Sequence, residues 1–324
     1  MANGRFFMSF GKVIRIVMSL LIVAAGATAV YLAYTGTPLP FIQGSANSTD
    51  TLKEQDTPQE KSLDDYSWAE LSQISKEIAA ASTDDQARAL AQKYKLVDEQ
   101  GKLSDEEVRL ELSDGSVASA QLVGIRHDDM SDGSGKAGLT FVTKQALDQH
   151  SMNASADNAG GWEASEMRSW LASTVLPKFP AELQSTIVSV KKATNNTGNT
   201  RDASTVSTTD DKLWLLSATE VCGKIDWFAH EYGNQYAYLD DVVNAEGTQY
   251  ERYTSEGITP HSDPSGTLIK NYQSEKSAWW YRSAFFFVYE GLEHRYFYNV
   301  LPTGYPYAYS APNEQLGVVV GFCI

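Results

Sequence analysis

WWYRSAFFFVYEGLEHRYFYNVLPTGYPYAYSAPNEQLGVVVGFCI, residues 279–324, is the stretch from which the rest of the chain is read. It holds 14 of the 36 Phe, Trp and Tyr residues in a 324-residue chain, a density that calls for either a large core or a contact surface. Tyr296 to Leu301 predicts a strand, Pro302-Thr303-Gly304 a turn, and Tyr305-Pro306-Tyr307-Ala308-Tyr309 a return strand. Side chains two apart on a strand share a face, so the hairpin carries a row of phenols on one side. Tyrosines of intermediate burial fill sheet cores. They also make binding surfaces, because a phenol combines contact area, a polar tip and few rotors. Pro306 has no N–H for a ladder, so its strand belongs at a sheet edge or is barely a strand, and an edge hairpin has one face free. The expectation is a recognition face.

The formal charge is −15. Residues 1–49 contain Arg5, Lys12 and Arg15 and no acid, so the remainder is more acidic still. An acidic surface repels phosphate backbones, and no nucleic-acid partner is expected. Ile16 to Tyr34 is uncharged over nineteen residues and follows the three basic ones. Such a run is long enough to cross the ~30 Å hydrocarbon core with the basic end in the cytoplasm. A cleaved signal peptide is the rival, since Ala25-Gly26-Ala27 and Ala27-Thr28-Ala29 have the small-x-small form of a cleavage site. The apolar run continues past both through Val30, Tyr31 and Leu32, which favours a retained anchor. Outside the cytoplasm Cys222 and Cys323 are free to form a disulfide. Two buried thiols are the equal alternative, because sequence alone does not bring the two Cα atoms together.

Thr35 to Asp64 is polar and rich in Pro, Gly, Ser and Thr, a flexible linker. Trp68, Leu71, Ile74 and Ile78 share one helical face, and Ser82, Thr83 or Asp84 caps a second helix through Tyr94. Val108, Leu110 and Leu112 alternate before the turn signal Asp114-Gly115 and a return strand through Val123. Leu213 to Leu216 reads as a strand buried on both faces, followed by the capping box Ser217-x-x-Glu220. Thr194 to Asp211 reads as a polar loop and residues 229–277 as irregular.

Several chemistries are excluded by spacing. His127 to Ala137 resembles a phosphate loop and a calcium loop at first sight. Met130 and Ala137 stand where the former needs Gly and Ser or Thr, and Leu139 stands where the latter needs a bidentate Glu. It therefore reads as a solvated glycine-rich loop, and His127-Asp128-Asp129 as surface. The histidines form no HExxH or Cys-paired zinc pattern, and there is no GxSxG elbow. No catalytic residue, metal or cofactor is expected.

The segments RHDDMSDGSGKAGLTF (126–141), GGWEASEMRSWL (160–171), TNNTG (194–198), DKLWLLSATEVCG (211–223), WWYRS (279–283) and GVVVGFCI (317–324) resemble a bacterial surface-protein family whose C-terminal domain has no assigned function. The Trp-Trp-x-Arg-Ser step and the Gly-terminated last strand are also similar to the C-type-lectin-like fold. That fold is shared with formylglycine-generating enzymes and phage tropism proteins. Family members end GVRPAF plus two residues; here Val319, Val320 and Gly321 replace Arg, Pro and Ala. The resemblance implies an α+β C-type-lectin-like domain in which Trp279, Trp280, Arg282 and Phe322 support the fold. Proteins of that fold are also common targets of diversity-generating retroelements, which rewrite adenine-bearing codons. Residues 285–313 have that flavour, interleaved with an expected fixed frame of Phe297, Val300, Gly304 and Ala308.

The expected organisation is a cytoplasmic tail (1–15), a transmembrane anchor (16–34), a linker (35–64), a helical segment (65–104) and the ligand-binding domain (105–324). The expected function is a membrane-anchored, single-pass cell-surface binding or adhesion protein. Its contacts to an external protein or glycan would be Tyr281, Phe285, Phe287, Tyr289, His294, Tyr296, Tyr298, Asn299, Tyr305, Tyr307, Tyr309 and Asn313. An extracytoplasmic enzyme acting on wall or glycan is the second reading, and a structural wall protein the third. N-terminal sequencing of the mature protein is expected to find the anchor retained; a new terminus near Thr28 or Val30 assigns a cleaved signal instead.

Overall fold

A computed structural model of the chain describes residues 61–324. The expected tail, membrane span and most of the linker lie outside the described residues. Among the described residues no helix is long and apolar enough to cross a membrane. They belong to one compact unit, Gln59–Ile324, with an α+β fold.

Helix α1 (Trp68–Ala79) starts at a capping box: Ser67 accepts from the Glu70 N–H, and Glu70 accepts from the Ser67 N–H. Trp68, Leu71, Ile74 and Ile78 are buried, as their spacing predicts. Thr83 caps α2 (Asp84–Lys93). The Trp68 ring meets Phe141 and Phe322 edge-on at 5.4 and 5.7 Å. The 65–104 segment is therefore built into the core of the domain it was expected to precede. The linker also ends earlier than Asp64, since Leu63 is buried. Burial of each such large apolar side chain contributes roughly 1.5–3 kcal/mol.

The strands are β1 (Glu107–Glu111), β2 (Val117–Ile125), β3 (Leu139–Thr143), β4 (Gln149–His150), β5 (Val190–Asn195), β6 (Val206–Asp211) and β7 (Trp214–Leu215). After them come β8 (Lys270–Tyr272), β9 (Glu275–Ser277), β10 (Trp279–Tyr289), β11 (Leu292–Val300), β12 (Ala308–Ser310), β13 (Leu316–Gly317) and β14 (Val320–Cys323). One sheet runs β1-β2-β3-β14-β7 and a second β12-β11-β10-β13-β4. Short helices α3 (Glu166–Trp170), α4 (Ala181–Thr186), α5 (Ala218–Cys222), α6 (Trp227–Tyr232), α7 (Asp241–Asn244) and α8 (Glu251–Ser255) fill the connections. Alternation sends neighbouring side chains to two hydrophobic clusters. Leu122, Phe141, Trp280 and Phe297 enter one, and Val123, Val142, Trp279, Tyr281 and Tyr298 the other.

Three local expectations change, and the open alternative for the cysteines resolves to two buried thiols. Thr194 to Asp211 is a loop only between Asn195 and Val206, because β6 pairs with β5 from Val190↔Asp211 to Asn195↔Val206. Residues 229–277 hold short helices and the β8–β9 hairpin. The return strand of the phenol hairpin is only β12; it lies at the sheet edge, and Tyr305, Pro306 and Tyr307 precede it. Cys222 and Cys323 are free, buried thiols in different clusters, one against the Tyr281 hydroxyl and the other against Thr140.

Gly321 leaves room for a partner: a Cβ there would lie 2.7 Å from the Trp214 indole nitrogen. Trp214, Trp279 and Trp280 are fully buried. Replacing any one with Ala is expected to cost roughly 3–5 kcal/mol. Urea denaturation measures it, and an unchanged midpoint for all three would overturn their assignment to the core.

Candidate functional site

The site is held by a chain of buried charges. Between Trp280↔Asn299 and Ala284↔Phe297 strand β10 carries two more residues than β11, a bulge that turns Arg282 inward. Arg282 makes a forked contact with Glu220, at 2.5 and 2.9 Å. Its Nε donates to Thr194 Oγ1 at 2.8 Å. Lys192 Nζ reaches both Glu220 Oε1 and Asp128 Oδ1 at 2.6 Å, and lies 4.4 Å over the Trp214 ring. Asp128 also accepts from Thr140 and Tyr250. Burial works against every charge here, but the partners win. Lys192 and then His127 lower the Asp128 carboxyl, Arg282 and Lys192 lower Glu220, and Asp128 and Glu220 raise Lys192. The reading of His127-Asp128-Asp129 as surface is corrected at Asp128, which is buried because Lys192 and Tyr250 satisfy it.

Beyond the bulge, β10 and β11 project as a hairpin. Phe285 faces Tyr296, Phe287 faces His294, and Tyr298 on β11 faces Tyr309 on β12. Directly opposed residues share a face. One side of the sheet therefore carries Phe285, Phe287, Tyr289, His294, Tyr296, Tyr298 and Tyr309. Asn158 anchors this hairpin by donating to the carbonyls of Phe285 and Tyr296, each at 2.9 Å. Arg201 Nε donates to the Phe286 carbonyl. Gly198, at φ +80°, makes the anchor possible, since a Cβ there would lie 1.8 Å from the Asn158 backbone oxygen. This is the physical content of the TNNTG stretch.

Opposite the hairpin stand Phe228 and Tyr232 of α6, then Tyr236 and Leu239 of the 3-10 turn Asn234–Leu239. The two walls enclose a cleft of about 520 Å³, which is within the range of small-molecule sites. Phe285 stacks on Tyr309 at 4.3 Å and Trp227 on Tyr307 at 4.6 Å. Burial, then Glu231, raises the Tyr307 phenol, whose hydroxyl donates to Glu231 at 3.2 Å.

Of the predicted contacts, Phe285, Phe287, Tyr289, His294, Tyr307 and Tyr309 line the cleft. Tyr296 is half-buried and packs on Tyr309. Tyr281, Tyr298 and Asn299 are corrected: with 0%, 2% and 1% exposure they reach no external ligand. The bulge sends Tyr281 to the Cys222 thiol, and Trp227 and Tyr307 cover Tyr298. Tyr305 and Asn313 are exposed but lie outside the cleft lining. The α6 wall was missed. Its signal was present, because Phe228, Tyr232 and Tyr236 recur every four residues, the spacing of one helical face. Burial raises the Cys222 thiol to about 12 and the Cys323 thiol as well, so both stay protonated at neutral pH. Among the described residues no group of three or more His, Cys, Asp or Glu is arranged to hold a metal ion.

Fold and site together define an α+β domain that buries an ionic core and presents an aromatic cleft. The chain belongs to the family described as domain of unknown function (DUF6273), whose model matches residues 137–324. No curated protein and no solved structure matches the chain.

Glu246 lies beside the ionic core and accepts from the Asn195 N–H and the Ser283 hydroxyl. Burial raises its carboxyl from 4.5 to about 7, against the pull of Arg282. The protonated form is thus favoured by folding. Its contribution is complete below pH 4.5 and is lost as pH rises through about 7. The loss is about 3 kcal/mol, since each tenfold change in proton affinity is worth about 1.4 kcal/mol. Glu246→Gln is expected to flatten this part of the stability profile. Denaturant unfolding of both proteins at pH 5, 6, 7 and 8 measures it; parallel profiles would refute the raised carboxyl.

Proposed function

We propose that the chain is a membrane-anchored bacterial surface protein whose C-terminal domain binds an external ligand, a protein or a glycan, through the aromatic cleft. The single observation carrying this reading is the convergence of six predicted contact residues, from β10, β11 and the β12 segment, on one ligand-sized concavity. Aromatic side chains left accessible in a cleft favour binding, since a site of this kind gains most of its energy from a few such anchors. The finer assignment, a C-type-lectin-like fold diversified by a retroelement, draws support from the same segment. The residues of variable character include the accessible Phe287, Tyr289, His294, Tyr305, Tyr307, Tyr309 and Asn313 and the buried Phe285, Tyr298 and Asn299; of the expected frame, Phe297, Val300 and Gly304 are buried and Ala308 is half-buried. Binding rather than catalysis is favoured because the cleft lining offers rings, phenols and a single imidazole, with no paired carboxylates.

The test uses the full chain displayed on cells, with binding to other cells and to glycan and protein arrays as the readout. Tyr289→Ser and Tyr309→Ser, at 58% and 48% exposed positions, are expected to lose binding and keep thermal stability. Removal of a central aromatic anchor typically costs ~2 kcal/mol or more of affinity. Tyr298→Ser is expected to lose stability. Unchanged binding in both exposed variants would remove the cleft from the ligand site.

A further inference from the structure

Resting on the reading of the cleft as the ligand site, we propose that its ligand is an organic cation, an ammonium group on an apolar body, with Glu231 as counter-charge. Three observations converge. The first is the lining. Phe228, Tyr232, Phe287, Tyr289 and Tyr309 contribute rings to one concavity, and an aromatic face carries the negative end of the ring quadrupole. Tyr232 and Tyr289 are each nearly parallel to Phe287, with centroids 6.3 Å away. Several ring faces are thereby placed within reach of one bound group.

The second is a cation already seated on this wall. The Arg201 guanidinium, which does not line the cleft, lies 4.8 Å from the Phe228 centroid and 4.6 Å from that of Phe287. It donates from Nε to the Phe286 carbonyl, its Nη2 has no hydrogen-bond partner, and burial lowers its pKa against the pull of Tyr298, Tyr238 and Asp240.

The third is Glu231. It belongs to α6, is exposed, and does not itself line the cleft, which it borders by accepting from the Tyr307 hydroxyl. It also acts on the neighbouring Tyr232 phenol. Among the described residues no cation pairs with it. A carboxylate beside electron-rich rings complements an ammonium group, and the acidity of the whole chain draws cations toward it. Sugar recognition depends on polar side chains placed to meet successive hydroxyls. The lining supplies only phenol hydroxyls and the His294 imidazole for this.

The experiment is calorimetric titration of the full-length chain, purified in a non-ionic detergent, with three probes. Choline carries the charge; 3,3-dimethylbutan-1-ol has the same shape without it; methyl glycosides represent sugars. Choline is expected to bind about tenfold more tightly than its neutral isostere, the scale of a partly desolvated cation–π contact aided by a carboxylate. Glu231→Gln is expected to weaken choline several-fold and leave the isostere unchanged. Tyr309→Leu, which keeps an apolar side chain and removes the ring, is expected to weaken choline selectively. Equal binding of choline and isostere, or binding of glycosides alone, overturns the cation while the cleft remains a ligand site. Absence of choline binding also overturns it. In that case the display experiment with Tyr289→Ser and Tyr309→Ser decides separately whether the cleft binds anything.

Discussion

Lys192 and Arg282 share Glu220, and Lys192 passes the contact on to Asp128. These four buried charges come from the 126–137 loop, β5, α5 and the β10 bulge. Moving isolated charges out of water is expensive, so such a chain persists only when each member has its partners. Here the remaining polar atoms are met by Thr140, Tyr250, Thr194 and the carbonyls of Leu215 and Ala193. The arrangement is intolerant of partial loss. Deleting one partner strands another charge in the interior, at a cost on the order of 3–5 kcal/mol. Its effect is to fix how four segments, distant in sequence, sit against one another.

The cleft inherits its geometry from that constraint. Arg282 and Ser283 are drawn inward, and Ser283 also accepts the Ala218 N–H. This ties the base of β10 to the start of α5. Past the bulge the strand regains regular pairing and its aromatic side chains emerge toward α6. Asn158 holds the two hairpin strands from behind, so the rings are presented by a supported element. The ends of the hairpin can carry exposed Tyr289 and Leu292 because the fold is already secured deeper in the sheet.

The matched family region begins at Ala137, yet the core does not. Trp68 packs against the rings of both Phe141 and Phe322, and the Ser75 hydroxyl donates to the carbonyl of Ile324. Gly138 allows this approach, since a Cβ there would collide with the Ser75 backbone. In this chain the N-terminal helices complete the domain that the family region defines.

Periodicity and turn chemistry were enough to place α1, α2, the β1–β2 hairpin, the Leu213–Leu216 strand and its capping box. Each depends on residues within a few positions of one another. The aromatic C-terminal stretch was legible as a candidate site for the same reason, through its composition and its alternation. Which rings are accessible was not. Tyr298 and Tyr309 are cross-strand partners on one face, but Trp227 covers the first, and α6 is far away in sequence. Asp128 shows the same limit in a charged group. Its neighbours Asp129 and Gly133 spell a solvated loop, while its burial depends on Lys192, Tyr250 and Thr140 arriving from three other segments. Local patterns are set by short-range sterics and hydrogen bonding, which a sequence carries directly. Burial and ion pairing are decided by which distant segments meet, and only the folded chain brings those together.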